Sequence, residues 1–229
     1  MKIKITAILA SVVGLAMLSS LANAAMIVNG SFEDDDWSSG HQYDLESSGL
    51  TGWTANDPGN SAPLYPWGIN EVEYGVTPYG DQFVVIGYYG ADAGTSIQQT
   101  VADLIVGENY TLSFALASEG YSGRGDTGHS NVRVSMLSGS STASADYAAS
   151  LSVNTFWDTW DMFSYDFLAT ATSATFAFED LAMTETGYDI GIDNVSIRGS
   201  STVPEPATLA LMGFGLAGIG FAGRKKIKY

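Results

Sequence analysis

Short runs of alternating apolar and polar residues make up most of the chain between residues 25 and 200. They are rich in β-branched and aromatic residues, and clusters of Gly, Asp, Asn and Ser separate them. A period of two is typical of strands with one buried face. The clearest examples are residues 82–88, 95–101, 110–116, 132–137, 175–178 and 190–197. No segment here has the spacing and caps of an amphipathic helix, so the pattern predicts one all-β domain, an antiparallel β-sandwich.

Three stretches of this domain are expected to be irregular. Residues 34–70 hold three tryptophans among Gly, Ser, Pro and acidic residues, and residues 118–131 are rich in glycine. A serine-rich patch at residues 138–144 predicts a flexible hairpin connection. Large aromatic side chains in loops are unusual unless they pack back onto the sheet or meet a ligand.

The N-terminal residues depart from the strand pattern. Lys2 and Lys4 precede an apolar stretch over residues 5–21, and Ala22-Asn23-Ala24 then has the small-x-small form of a signal-peptidase site. We therefore expect a signal peptide over residues 1–24 that signal peptidase removes after Ala24. An uncleaved anchor helix is the alternative.

The C-terminal residues contain a second apolar segment. Residues 207–223 form an uncharged run of 17 residues. Four basic residues follow it, Arg224, Lys225, Lys226 and Lys228. A run of this length is at the lower limit for a membrane-spanning helix, and the basic cluster holds its end in the cytoplasm. The β domain is therefore expected outside the inner membrane.

The tripeptide Pro204-Glu205-Pro206 stands just before this apolar run. A tripeptide, an apolar span and a basic stop in that order resemble the PEP-CTERM sorting signal of Gram-negative bacteria. The resemblance implies that an integral-membrane exosortase recognises residues 201–229 and cleaves near the tripeptide, after which the body reaches the cell surface or the extracellular space. The alternative is a single-span anchor with an accidental Pro-Glu-Pro.

The composition of the body limits its partners. Of the 25 acidic residues 24 lie in it, against three arginines and no lysine, which gives a formal charge of −21. Such a surface repels nucleic acids and anionic lipid headgroups, whereas divalent cations and neutral sugars remain compatible. The chain has no cysteine, so disulfides, Cys-based zinc sites and thiol nucleophiles are excluded.

Several short motifs follow one another along the body. They are Asn-Gly-Ser-Phe-Glu at residues 29–33, Gly-Trp at 52–53, Gly-Asp-Gln-Phe-Val at 80–84, Gln-Gln-Thr at 98–100, Gly-Glu-Asn-Tyr-Thr-Leu-Ser-Phe at 107–114, and Ile-Asp-Asn-Val at 192–195. This order resembles the galactose-binding-like jelly rolls, which include carbohydrate-binding modules. The resemblance supports the fold more than any one function.

The first and last motifs predict a metal site. In jelly rolls of this kind the first and last strands pair, which would place Phe32 and Val195 in one core and bring Glu33 and Asp193 to one edge of the sandwich. The resemblance implies a structural Ca²⁺ there, because carboxylates are the hard oxygen ligands that this ion prefers. In the alternative, Glu33 and Asp193 are ordinary strand-end or turn residues.

Three aromatic residues are candidate platforms for sugar rings. Sugars stack their C–H faces on flat aromatic side chains while polar groups fix the hydroxyls. Trp53, Trp67 and Tyr79 are the candidates, although Trp53, in its Gly-Trp motif, is better suited to the core than to a platform. If one of these rings is exposed, it would bind exopolysaccharide or another glycan.

Enzymatic activity finds little support in the sequence. A glycosidase needs two carboxylates, but the body has so many that their presence does not distinguish an enzyme from a binding protein. The body has only two histidines, no Gly-x-Ser-x-Gly and no HExxH, so hydrolase triads and zinc-protease chemistry lack support. We expect a non-catalytic protein of the cell surface or the extracellular matrix. Polysaccharide binding is its candidate molecular activity. The alternatives are a glycoside-active enzyme and an adhesion protein with no sugar site.

Overall fold

Ten β-strands form two antiparallel five-stranded sheets in the described part of the chain, for which we have a computed structural model. The described residues are 27–35, 49–56, 65–68, 77–87, 94–127, 130–141, 144–181 and 188–199, with the backbone alone for 65–68. They all belong to one unit, Asn23–Ser200.

The first sheet has the strand order β1-β4-β9-β6-β7. Its strands are β1 (Thr54–Asn56), β4 (Ser96–Val101), β9 (Ala174–Asp180), β6 (Ser130–Ser138) and β7 (Ser144–Ala149). The second sheet has the order β2-β3-β10-β5-β8. Its strands are β2 (Tyr65–Gly68), β3 (Gln82–Ile86), β10 (Ile190–Gly199), β5 (Asn109–Ser118) and β8 (Trp160–Leu168). The predicted all-β, antiparallel sandwich is therefore confirmed.

The main core lies between the two sheets and is filled from alternate positions of the strands. In β5, for example, the inward residues Tyr110, Leu112 and Phe114 are all buried. Phe32 and Val195 join the same core, as the sequence predicted. Aromatic rings meet at close range inside it, with Phe114 and Phe178 centroids 5.0 Å apart in an edge-to-face contact.

A second, smaller apolar layer covers part of the outer face of the β2-β3-β10-β5-β8 sheet. Phe83 and Val85 of β3, Ala117 of β5 and Trp157 form it, and Phe156 and Trp160 pack against them. This layer explains why β5 alternates at its start and is continuously buried from Phe114 to Ser118. Its last residues are covered on both faces, so they lose the period of two.

The six predicted strands are all present, but the chain departs from the prediction in three places. Residues 28–35 form turns rather than an opening strand, and Phe32 adopts a φ of 59°. The segment 34–70 contains the short strands β1 and β2. Strands β7 and β8 were not predicted. β8 does alternate from Phe163 to Phe167, with Ser164 and Asp166 exposed between the aromatic residues, whereas β7 is short and carries mostly small residues.

The predicted irregular segment 118–131 contains a 3-10 helix, Ser122–Arg124, before β6 begins at Ser130. Within the described residues, no helix has the length and apolarity needed to cross a membrane. The predicted signal peptide over residues 1–24 and the predicted span over residues 207–223 lie outside the described residues.

Candidate functional sites

Asp193 lies on the outer face of the second sheet. Ile190 and Ile192 of β10 point into the main core, so Gly191 and Asp193 face the opposite side. An ideal Cβ on Gly191 would lie 2.9 Å from the Trp160 ring, which places this face of β10 beneath the outer apolar layer. Asp193 is opposite Ala115 of β5, and the ladder is then interrupted by a bulge before Ser196.

The Asp193 carboxyl group is fully buried. Burial raises the pKa of Asp193 to about 7, and the charge of Glu33 adds to the rise. The Thr77 hydroxyl donates a short hydrogen bond to Oδ2, and the N–H of Asn194 donates to Oδ1 at 2.6 Å. These bonds favour the charged form, but the loss of hydration outweighs them.

Glu33 fixes the turn segment 28–35 to the start of β3. Its Oε1 accepts hydrogen bonds from the N–H groups of Asp81 at 2.6 Å and Gln82 at 2.7 Å. Gly80 is required beside it, because a Cβ there would lie 2.2 Å from the same oxygen. The motifs at residues 29–33 and 80–84 thus meet in one interaction.

The two predicted metal ligands therefore lie within electrostatic range of each other. The Asp193 and Glu33 carboxylates and the Thr77 hydroxyl offer oxygen ligands, which fit Ca²⁺ better than zinc. A fully buried carboxylate with a second negative charge nearby is what a cation would neutralise. Among the described residues, however, no group of three or more acidic or histidine side chains gathers. Further ligands would be hydroxyl, carbonyl or water oxygens.

Aromatic rings stand beside Asp193. Tyr79 is half-buried and meets Trp160 edge to face at 6.3 Å, and Trp160 in turn meets Phe83 at 5.1 Å. Burial raises the pKa of Tyr79, and the charges of Asp193 and Asp161 raise it further. The indole N–H of Trp160 is buried without an acceptor among the described residues. The site thus combines an acid, aromatic faces and an unpaired donor.

Of the three predicted sugar platforms, Trp53 belongs to the core and is corrected accordingly. Only 7% of it is exposed, its Nε1 donates to the Asn29 carbonyl at 3.0 Å, and its ring meets Phe32 and Phe176. A sugar ring has no access to its face. Trp67 lies on β2, where only the backbone is described and pairs with Phe83. Its platform role, like that of Tyr79, stays a prediction.

A groove of about 430 Å³ crosses the outer face of the first sheet. Four neighbouring strands, β1, β4, β9 and β6, contribute its walls. Its lining residues are Thr54, Ala55, Asn56, Ser96, Gln98, Ser135, Leu137, Ala177 and Glu179. The strand registers place these side chains in rows, and the row that starts at Asn56 continues through Ser96 and Glu179 to Arg133. The groove therefore presents amides, hydroxyls and a carboxylate together.

An ion pair flanks the groove at its β7 side. Arg133 donates from Nε to Oδ1 of Asp146 at 2.8 Å and from Nη2 to Oδ2 at 3.0 Å. This two-point contact fixes the guanidinium plane, and it raises the pKa of Arg133 and lowers that of Asp146. The pair is largely exposed, so it contributes little to stability.

Neither Thr77 nor the groove could be predicted from the sequence. Thr77 is followed by proline and lies outside every recognised motif, so nothing local shows that it meets Asp193, 116 positions away. The alternation in β4 does show that Ser96 and Gln98 share a face. Only the order of the strands turns that face into the floor of a groove.

Comparison with protein families gives two matches. The HpiC1-like model, described as HpiC1 cyclase, matches residues 23–197. A model of the PEP-CTERM protein-sorting motif matches residues 202–226. The second match confirms the sorting signal predicted from the sequence and identifies an exported protein that exosortase processes. No curated protein sequence matches the chain.

Solved structures share the fold at low sequence identity. A CBM4 carbohydrate-binding module has 16% identity and a TM-score of 0.47, over 76% of this chain and 100% of the module. A CBM61 module in complex with β-1,4-galactotriose has 14% identity and a TM-score of 0.42, over 69% and 94%. An arabinose-bound α-L-arabinofuranosidase has 11% identity and a TM-score of 0.50, over 77% of this chain and 26% of that enzyme. These likenesses concern the fold alone.

The buried Asp193 predicts an unusual pH dependence of stability. Its pKa of about 7 in the folded chain exceeds the ordinary value of 3.8, so the folded state binds the proton more tightly and loses stability as pH rises through 7. In chelator, the free energy of unfolding should fall by about 3 kcal/mol between pH 5 and 8 relative to Asp193→Asn. Denaturant titrations measure it.

The exposed Asp166, which accepts a hydrogen bond from Thr111 at 2.6 Å, provides the matched control. Asp166→Asn should keep the pH dependence of the wild-type chain. Parallel curves for wild type and Asp193→Asn would show that the buried carboxyl titrates normally.

Proposed function

Because this chain belongs to the HpiC1 cyclase family and carries a PEP-CTERM sorting motif, we propose that its exported β-sandwich acts non-catalytically at the cell surface or in the extracellular matrix, where it binds polysaccharide. Exosortase would release it from an inner-membrane anchor formed by residues 207–223. The observation that carries the binding proposal is the open groove of about 430 Å³ on the first sheet.

The groove suits a hydroxyl-rich ligand. The Asn56 and Gln98 amides and the Glu179 carboxylate offer donors and acceptors from three adjacent strands. Rows of such groups on a rigid sheet keep their spacing without a ligand, which lowers the entropy lost on binding. An extended glycan lying across the strands would meet successive polar rows.

Charge and wall chemistry narrow the ligand class. The formal charge of −21 on the body disfavours acidic glycans, so neutral sugars are proposed. The groove residues named above include no aromatic ring, so recognition there would rest on hydrogen bonds rather than on stacking. Affinity would come from repeated contacts along a polymer.

A second candidate function is acid catalysis at Asp193, in keeping with the cyclase for which the family is named. The observation that favours it is the buried carboxyl group with a pKa near neutrality beside the Tyr79 and Trp160 rings. A carboxyl group still protonated near pH 7 can donate a proton to a ligand bound against apolar walls.

A structural calcium ion at Glu33 and Asp193 is the competing role for the same residue. The ion needs Asp193 as carboxylate, whereas a proton donor needs it as acid. The absence of cysteine leaves a bound metal as a further means of stabilising an exported chain. Glu33 already holds two backbone N–H groups through Oε1, and its other oxygen would face the ion.

The sorting proposal predicts the effect of removing the tripeptide. Changing Pro204, Glu205 and Pro206 to alanine should leave the chain uncleaved in the inner membrane, because exosortase loses its recognition element. A C-terminal epitope followed through cell fractionation measures this. A control change of Ser200 to alanine, just before the sorting signal, should not alter processing. Release of the tripeptide variant would contradict the proposal.

The groove proposal predicts that single side chains govern binding. A glycan array should first identify a neutral polysaccharide, and titration calorimetry should then show that Gln98→Ala or Asn56→Ala weakens binding about tenfold, the loss expected for one hydrogen bond of about 1.4 kcal/mol. Ser164→Ala, on the exposed face of β8, is the control. Equal affinity in all variants would place binding elsewhere.

The calcium proposal predicts a shift in melting temperature. An ion that binds only the folded state stabilises it by mass action, so calcium should raise the melting temperature and chelator should lower it. Glu33→Gln or Asp193→Asn should abolish the response, while Asp166→Asn should keep it. Identical melting of the wild type in calcium and chelator would remove the metal and leave the acid as the role for Asp193.

A further inference from the structure

The last strand, β10, ends at one end of the sandwich, and the sorting motif follows it in the sequence. Gly199, the last residue of β10, pairs with Tyr110 at the start of β5. Three connections, 102–108, 139–141 and 169–173, lie at the same end and are joined by backbone hydrogen bonds. We call this the exit end.

Three aliphatic side chains are exposed at the exit end. Ile105 is 47% exposed and Val106 57%, both in the connection between β4 and β5. Leu168, the last residue of β8, is 36% exposed and pairs with Asn109. Three exposed aliphatic side chains at one end of so acidic a protein make that end a candidate for an apolar contact.

The two most exposed of these residues are held in a fixed turn. The N–H of Glu108 donates to the Ile105 carbonyl at 3.1 Å, and Gly107 takes a φ of 88°, the third-position geometry of a type II turn. The turn is anchored by the N–H of Ile105, which donates to the Tyr110 hydroxyl at 2.9 Å, and by the N–H of Gly107, which donates to the Ala169 carbonyl at 2.8 Å. The turn therefore keeps Ile105 and Val106 outward.

The number of residues between Gly199 and the apolar run limits the distance between the exit end and the membrane. Seven residues, 200–206, separate Gly199 from the apolar run that begins at residue 207. Seven extended residues span at most about 25 Å. While the apolar run is in the membrane, the exit end is thus kept within about 25 Å of the lipid surface.

We propose that the exit end rests on the inner membrane before processing, with Ile105, Val106 and Leu168 in contact with lipid. This inference rests on the proposed membrane-spanning tail. Asp103, Glu108 and Asp166 flank the patch, so anionic headgroups repel it and the contact is an apolar one with zwitterionic lipid. The tether supplies the local concentration that such a small patch needs. The opposite end of the sandwich then points away from the membrane.

The absence of cysteine allows a direct test with single labelling sites. Val106→Cys reports on the exit end. Val153→Cys is the matched control, since Val153 is 59% exposed and lies in the connection between β7 and β8 at the other end. Each chain begins at Ala25, as after removal of the predicted signal peptide, and keeps its C-terminal residues to Tyr229. It is labelled with an environment-sensitive dye and reconstituted into phosphatidylcholine vesicles that contain lipids spin-labelled near the headgroup. We expect loss of fluorescence at Val106 and none at Val153.

Two further arms separate the possible failures. Adding Ile105→Ser to the Val106→Cys chain should reduce the quenching, and anionic lipid should also reduce it. Vesicle flotation reports independently on the tail. Flotation without quenching at Val106, or with equal quenching at both positions, overturns the membrane contact and leaves the proposed anchor standing. Failure to float contradicts the anchor and the contact together.

Discussion

The bulge in β10 is the constraint on which the closure of the sandwich depends. Asn194 takes a φ of 50° there, and pairing with β5 resumes only at Ser196. The N–H of Val195 is thereby turned toward the N-terminal segment, where it donates to the Gly30 carbonyl at 2.7 Å. A Cβ on Gly30 would lie 2.0 Å from the Val195 oxygen, so this approach needs glycine. The first and last segments meet through this contact instead of a regular ladder.

The same bulge sets the environment of Asp193. Asp193 is the last residue before the bulge, and it faces outward beneath the apolar layer of Phe83 and Trp157. Its carboxyl group loses hydration there, and no cation among the described residues acts on its pKa. The layer is held by the connection that carries Phe156 and Trp157. Arg124 lies 4.6 Å from the Phe156 ring and forms an ion pair with Asp126 at 2.6 Å, which ties that connection to its neighbour.

The two outer faces of the sandwich therefore differ in what they can bind. The face of the first sheet is open and polar, and suits a long hydroxyl-rich chain that need not displace any part of the protein. The face of the second sheet is covered over β3 and β10, and a group beneath that layer, such as Asp193, meets only an ion or a small molecule enclosed in the protein. Polysaccharide binding and chemistry at the buried acid can thus coexist in one fold, on opposite sides.

The sequence by itself determined the fold class, six of the strands, the core positions Phe32 and Val195, and the sorting signal, because periodicity, composition and short motifs are local properties of the chain. Only the tertiary structure decided that Trp53 is buried, that Thr77 meets Asp193 and that β1, β4, β9 and β6 adjoin to form a groove. These facts depend on which strands pair across long stretches of sequence. No local pattern in the sequence encodes the order of the strands in each sheet. β8 did carry an alternating pattern at residues 163–167 that the sequence prediction passed over, whereas the small residues of β7 became a strand only through pairing with β6.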